Sequence, residues 1–252
     1  MDPIVLPCKR FTIGVENGQA LTPRTMMTTE KELKEMLKNA VHFGHAAGKW
    51  NPKMKPFIYG QKQGVHIFDL NQTAQALDNA LDFLKKSATA GKVILFVSTK
   101  QQATELVKEA AKACKMPYVT QKWVPGLLTN FKTIKQRIKY LKQLKQEEKS
   151  GEMEKYTKKE ISKLKKTINK LELSLGGVED LEKTPDILLV FDVNRDKIAV
   201  KEGVKSGVKI IGITDSNADP SDIDYPIPAN DDAIKSLKYL VEKFQSAICE
   251  KK

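Results

Sequence analysis

The sequence predicts an α/β fold: a parallel sheet flanked by helices, into which an antiparallel coiled-coil hairpin is inserted. Three observations carry this. Ile94–Val97 and Ile187–Val190 are wholly apolar runs of strand length, each followed by amphipathic helical spacing, as expected of buried parallel strands. Residues 93–119 form a strand–helix–strand unit. Ile161, Leu164, Ile168, Leu171 and Leu175 step by 3, 4, 3 and 4, which is a heptad seam.

Taken in order, residues 1–27 have no period and contain Pro3, Pro7, Gly14, Gly18 and Pro23. They read as an irregular N-terminal extension, with Met26 or Met27 as an alternative start. Thr29 and Glu32 make a capping box, predicting a helix through Leu33, Met36, Leu37, Ala40 and Val41 that ends near residues 42–44. Residues 42–64 hold two X-Pro pairs, Asn51-Pro52 and Lys55-Pro56, which predicts an extended, irregular path. Residues 65–68 read as a short strand and residues 71–89 as a helix. Next come a strand at 93–97, a helix at 101–114 and a strand at Tyr118–Val119.

After the insertion the pattern resumes. It gives a strand at 186–193, a helix at Lys197–Ser206, strands at 208–214 and 225–227, and a closing helix at 231–248. Within the insertion, Ile134, Ile138, Leu141 and Leu144 step by 4, 3 and 3. Thr157 and Glu160 supply a second capping box, and Gly176-Gly177 ends the second arm. The predicted seam sets Ile134, Ile138 and Leu141 against Ile161, Leu164 and Ile168. The domains are therefore a core of 28–130 and 177–252, with a hairpin at 131–176. The hairpin should detach without loss of the core.

The chain has 252 residues, 40% hydrophobic, enough for a sizeable core. No apolar run approaches the ~18 residues of a membrane span. Cys8, Cys114 and Cys249 lie far apart, suggest no disulfide framework, and fit a reducing compartment. The net charge is +12, spread as +8 over residues 1–130, +9 over 131–170 and −5 over 171–252. Only Arg10, Arg24, Arg137 and Arg195 among the 43 cationic residues are arginine, so the charge is carried by lysine, suited to phosphate oxygens. A polyanion is the physical partner this implies.

Enzymatic constellations are absent. No glycine-rich fingerprint follows any strand, and Gly44–Lys49 is one residue short of a P-loop. His42 and His45 with His66 are too few ligands for zinc, so no metal and no cofactor is expected. Asp215, Asp219, Asp222, Asp224, Asp231 and Asp232 have local uses in turns and helix caps. A metal-dependent phosphotransfer site is the sharper alternative for them.

The loop at 42–62 alternates histidine, lysine and aromatic residues: His42, Phe43, His45, Lys49, Trp50, Asn51, Lys53, Lys55, Phe57 and Tyr59. Point charges and flat rings on an irregular backbone suit folded RNA. Residues 121–133, with Trp123, Asn130 and Lys132, have the same character. With few aliphatic anchors, the loop 44–55 is expected to order only on RNA; pinning by Trp50 and Met54 is the competing view.

These segments together resemble the bacterial-type small-subunit ribosomal protein S2 family. The matching residues include Val41-His42-Phe43-Gly44-His45, residues 50–59 (WNPKMKPFIY), 94–100 (ILFVSTK), Trp123-Val124-Pro125-Gly126, 128–133 (LTNFKT), 174–177 (SLGG), 215–220 (DSNADP) and 227–233 (IPANDDA). The resemblance runs from about Thr28 to about Phe244. Val124-Pro125 departs from the family, which often has Leu-Gly there.

The resemblance implies a Rossmann-like core with a protruding coiled coil. It also implies a cytoplasmic place on a bacterial rather than organellar ribosome, at the head–body junction of the small subunit. The implied partners are 16S-type ribosomal RNA and other small-subunit proteins, including the large multi-domain mRNA-binding one, which this protein would help recruit. No catalytic residue and no membrane contact are implied. The RNA-binding candidates are His42, His45, Lys49, Trp50, Asn51, Lys53, Lys55, Lys100, Trp123, Asn130, Lys132 and Lys135. Two other classes compete: an enzyme acting on a phosphorylated ligand at the C-terminal edge of the sheet, and a protein-only adaptor.

Overall fold

The structure is a computed structural model that describes residues 30–151, 155 and 157–249. The capping box at Thr29 and the N-terminal extension lie outside the described residues. In chain order the elements are α1 (Glu30–Lys38), β1 (Phe43–Ala46), β2 (Ile58–Lys62), β3 (Val65–Phe68), α2 (Leu70–Thr89), β4 (Ile94–Val97), α3 (Gln101–Ala113) and β5 (Tyr118–Val119). They continue with α4 (Phe131–Ser150), α5 (Lys158–Leu175), β6 (Ile187–Val190), α6 (Lys197–Ser206), β7 (Lys209–Thr214), β8 (Tyr225–Pro228) and α7 (Ile234–Cys249).

The main sheet is parallel throughout, in the order β5-β4-β6-β7-β8. Its strands are apolar on both faces because both faces are covered. Ile94, Phe96, Ile187, Leu189, Ile211 and Ile213 point into one core with α2, α3 and α7. Leu95, Val97, Leu188, Val190 and Ile210 point into the other, with α4, α5 and α6. This alternation is the period of two of a strand. Thr73 ties α2 to β8 by donating its hydroxyl to the Pro228 carbonyl at 2.6 Å. At the other end of the sheet, a Cβ on Gly177 would stand 2.2 Å from the Tyr118 carbonyl oxygen, so only glycine lets this backbone lie against β5.

Residues 42–64 are not irregular, as the prolines suggest. They form most of a second, antiparallel sheet in the order β1-β3-β2. Gln63 and Gly64 both have positive φ, 52° and 78°, and make the two-residue turn joining β2 to β3. Between β1 and β2 a 3-10 turn, Pro52–Phe57, buries Met54 completely. The segment is also pinned to the loop after β7. His45 donates its backbone N–H to Ser216 Oγ at 2.8 Å, Asn51 donates its own to Ser216 O at 2.7 Å, and Lys53 Nζ reaches Asp219 Oδ2 at 2.7 Å. The expectation that RNA supplies the loop's order is therefore corrected: protein contacts supply it.

The α4 and α5 helices run antiparallel, joined by ion pairs Lys145–Glu172 and Glu148–Lys165. Thr157 and Glu160 form the expected capping box. The register differs from the predicted seam. With Lys165 beside Glu148, Ile161 and Leu164 lie level with the α4–α5 turn. Ile134 is 14 residues back from Glu148 along α4, about 21 Å away. Ile134, Ile138 and Leu141 instead share the core of the sheet with Leu175, Val178 and Leu181.

The base of the helix pair is thus core, and the tip touches that core only at its edge, through the half-buried Leu164. Replacing residues 147–166 by a short polar turn is expected to leave the melting temperature within a few degrees of the parent. Excising 134–175 is expected to abolish the cooperative transition, because it opens the Leu95–Leu188 face of the sheet. Calorimetry of the two deletions checks this, and equal transitions would contradict it.

The cysteines are a further correction. Cys114, at the end of α3, and Cys249, at the end of α7, are disulfide-bonded, with Cα atoms 5.2 Å apart. Their separation of 135 residues hides this proximity in the sequence. Among the described residues no helix is long and apolar enough to cross a membrane.

Candidate nucleic-acid interface

The surface of the small sheet carries most of the candidates. Lys49 and Lys55 are exposed. Trp50 is 38% exposed, its ring centroid 5.3 Å from that of the buried His66. Tyr59, on β2, is 81% exposed and Phe43 is 43% exposed. Exposed rings and exposed lysines thus come from one short segment whose backbone is held by the loop after β7. His42 is half-buried, with its ring 4.1 Å from Phe43, and burial lowers its pKa. The Asn51 side chain is used locally, accepting from the Lys53 backbone N–H at 3.0 Å.

Other candidates are held inside the protein. Lys100 is 6% exposed. Its ammonium stands 2.7 Å from Asp231 Oδ1, 2.5 Å from Asp232 Oδ1 and 3.4 Å from Asp192 Oδ2. Its pKa rises, because these carboxylates outweigh the burial that would lower it. Beside it, His45 lies with Nδ1 3.0 Å from Asp215 Oδ1 and Nε2 3.3 Å from Asp232 Oδ2. The Asp215 contact raises the His45 pKa. Burial, followed by the fields of Asp192 and Asp215, pushes Asp231 up to about 7. The aspartates thus do more than cap turns, although Asp219 does accept from the Ser221 backbone N–H and Asn230 from those of Asp232 and Ala233.

Among the described residues, His45, Asp231 and Asp232 could each offer one atom to a cation, all within 4.8 Å of one another. The Lys100 ammonium already lies between the two carboxylates. Four residues on from Asp192, Asp196 accepts from the Thr99 backbone N–H at 3.1 Å and from its hydroxyl at 2.9 Å. The crevice where an α/β sheet usually takes a phosphate is thus lined by the protein's own carboxylates.

The raised pKa of Asp231 has a stability consequence. Its folded form holds a proton that the unfolded chain releases near pH 4, so stability is lost as pH rises from about 4 to 7. Asp231→Asn is expected to make that decline shallower, read by urea unfolding at stepped pH. An unchanged slope would count against it.

Trp123 is also buried, and its ring N–H donates to Glu202 Oε1 at 3.2 Å. Glu202 further accepts the backbone N–H of Gly126 at 2.8 Å, Leu128 at 3.1 Å and Thr129 at 3.4 Å. Burial would raise its pKa, but these donors outweigh burial and lower it. The whole turn 123–129 is wrapped around one carboxylate. Just beyond it, Asn130 and Lys132 are exposed at the start of α4, while Lys135 donates to the Glu182 carbonyl at 3.0 Å.

Glu202, Asp192 and Asp196 were not among the sequence candidates. For Glu202 a signal existed: an acid beside Ala199, Val200 and Gly203 on the buried side of α6.

Comparison with known proteins finds relatives over most of the chain. The family described as Ribosomal protein S2 matches residues 36–251. The chain is 45% identical over 216 residues to the small ribosomal subunit protein uS2 of Picosynechococcus sp., covering 86% of this chain and 84% of that one. It is 46% identical over 220 residues to the uS2 of Nitratiruptor sp., covering 87% and 82%. It is 47% identical over 218 residues to that of Mycobacterium leprae, covering 86% and 79%.

Proposed function

Because the chain belongs to the ribosomal protein S2 family, we propose that it is a structural constituent of the small ribosomal subunit. Family membership over most of the chain is the observation that carries this. In the proposal the protein works in the cytoplasm on a bacterial ribosome, binds small-subunit ribosomal RNA at the head–body junction, and helps recruit the large mRNA-binding subunit protein. Its role is to hold RNA and neighbouring proteins in place rather than to catalyse.

The exposed Lys49, Trp50, Lys55, Asn130 and Lys132 are the surface contacts of choice, with Lys53 available by exchanging Asp219 for a phosphate. Lys100, His45 and Trp123 serve indirectly, by fixing the backbone that presents the others. The α4–α5 pair is read as a coiled-coil hairpin inserted in the core, whose tip projects towards subunit neighbours.

Sedimentation of lysate with small subunits tests this. The chain is expected to comigrate with them and to leave at high salt. If Z lysines meet phosphates, log affinity falls with log salt by about 0.7Z to 0.9Z. A chain that stays at the top of the gradient at low salt would refute the assignment.

A further inference from the structure

A groove of about 640 Å³ lies between the turn after β5 and the outer face of α5. Its floor is Val124, Pro125 and Leu173, the last 63% exposed, a large apolar side chain left facing solvent. Three lysines, Lys122, Lys166 and Lys170, stand around it, and no carboxylate lines it.

The groove combines positive charge with an apolar floor. Several lysines of the helix pair are held by protein carboxylates: Lys142 by Asp180, Lys145 by Glu172 and Glu179, Lys165 by Glu148. Lys122, Lys166 and Lys170 have no acidic partner among the described residues. Unspent positive charge around an apolar floor calls for an occupant that is anionic and flat. Lysine is depleted in protein–protein interfaces, whereas nucleic-acid interfaces are strongly positive. An unstacked nucleotide offers both a phosphate for the ammonium groups and a base face for the floor.

We propose that this groove holds an unstacked nucleotide of small-subunit ribosomal RNA. Its base lies on Val124, Pro125 and Leu173, and its flanking phosphates on Lys122, Lys166 and Lys170. This rests on the ribosomal reading and adds to it a contact built jointly by the core and the inserted helices. It gives Val124-Pro125 a part: the proline stiffens the wall against which the base would lie.

The experiment uses the full chain and small subunits stripped of it. Lys166→Gln with Lys170→Gln is expected to weaken rebinding about tenfold and to reduce the salt slope by about 1.4 to 1.8. Leu173→Ser is expected to weaken it about fivefold or more with the salt slope unchanged, since it removes stacking area and no charge. Lys235→Gln with Lys238→Gln makes the same charge change on α7, across the sheet, and should change binding less than twofold. Circular dichroism of each variant separates lost contact from lost fold, and all the replaced side chains are exposed.

A benzophenone side chain at position 173 then identifies the occupant. Crosslinking to RNA supports the proposal. Crosslinking to a ribosomal protein, or to nothing, overturns it, as do groove and control pairs of equal effect. If the parent chain itself fails to rebind the stripped subunits, the ribosomal reading falls instead.

Discussion

Replacing Lys100 with methionine is expected to remove about 3–5 kcal/mol of stability, lowering the melting temperature by about 6–20 °C. Among the described residues the ammonium is the only cation in an ion pair with Asp192 and Asp231, whose side chains are 9% and 3% exposed. Methionine fills much of the same space, so the loss isolates charge from packing. It leaves those carboxylates buried near Asp215, while the His45 imidazole stands against Asp215 and Asp232 instead. Two further outcomes follow from that cause. The deficit should shrink as pH falls and the carboxylates take up protons. Adding Asp231→Asn to Lys100→Met should recover part of it. Urea unfolding of the single and double variants at pH 5 and pH 8 checks all three. A single variant as stable as the parent would show that the cluster is held by something else.

Replacing Glu202 with glutamine is expected to cost about 3 kcal/mol, from buried N–H groups left facing another N–H donor. The effect should be local in structure and wide in consequence. The turn 123–129 has Glu202 as its common acceptor, and this turn places Asn130, Lys132 and the wall of the α5 groove. Trp123 fluorescence should shift to the red as its ring loses its enclosure. Affinity for the subunit should fall with it. Stability and emission both matching the parent would mean that the turn holds itself.

The parallel sheet was legible because its strands are buried on both faces, which makes Ile94–Val97 and Ile187–Val190 continuous apolar runs. Helix α6 was legible to the residue, between Asp196 and Gly207. Of the small sheet, β3 was legible as Val65–Phe68, but β1 and β2 were not. Those two strands mix polar and aromatic groups with glycine, and the prolines of the intervening turn dominate the local pattern. The Gln63-Gly64 turn was the available clue. The carboxylate cluster was illegible for a different reason: Lys100 finds Asp192 and Asp231 92 and 131 residues away, and only the fold brings them together. The same holds for Cys114 and Cys249. Lys49, Lys55, Trp50 and Tyr59, picked out from the sequence, do stand exposed on the small sheet and its turns. The sequence could not tell which lysines are spent on the protein's own carboxylates.

The backbone of Gly177 lying against Tyr118, and the two prolines of β8, have a consequence for the protein before it reaches a subunit. A parallel sheet ends in two rims of unpaired peptide groups, each a template for a stray strand. On one rim, β5 is two residues long, and the chain at Gly177 occupies the space beside its carbonyl. On the other, Pro226 and Pro228 have no N–H to offer. Growth of the main sheet by strand addition is therefore hindered at both of its edges, before any RNA or neighbouring protein covers them.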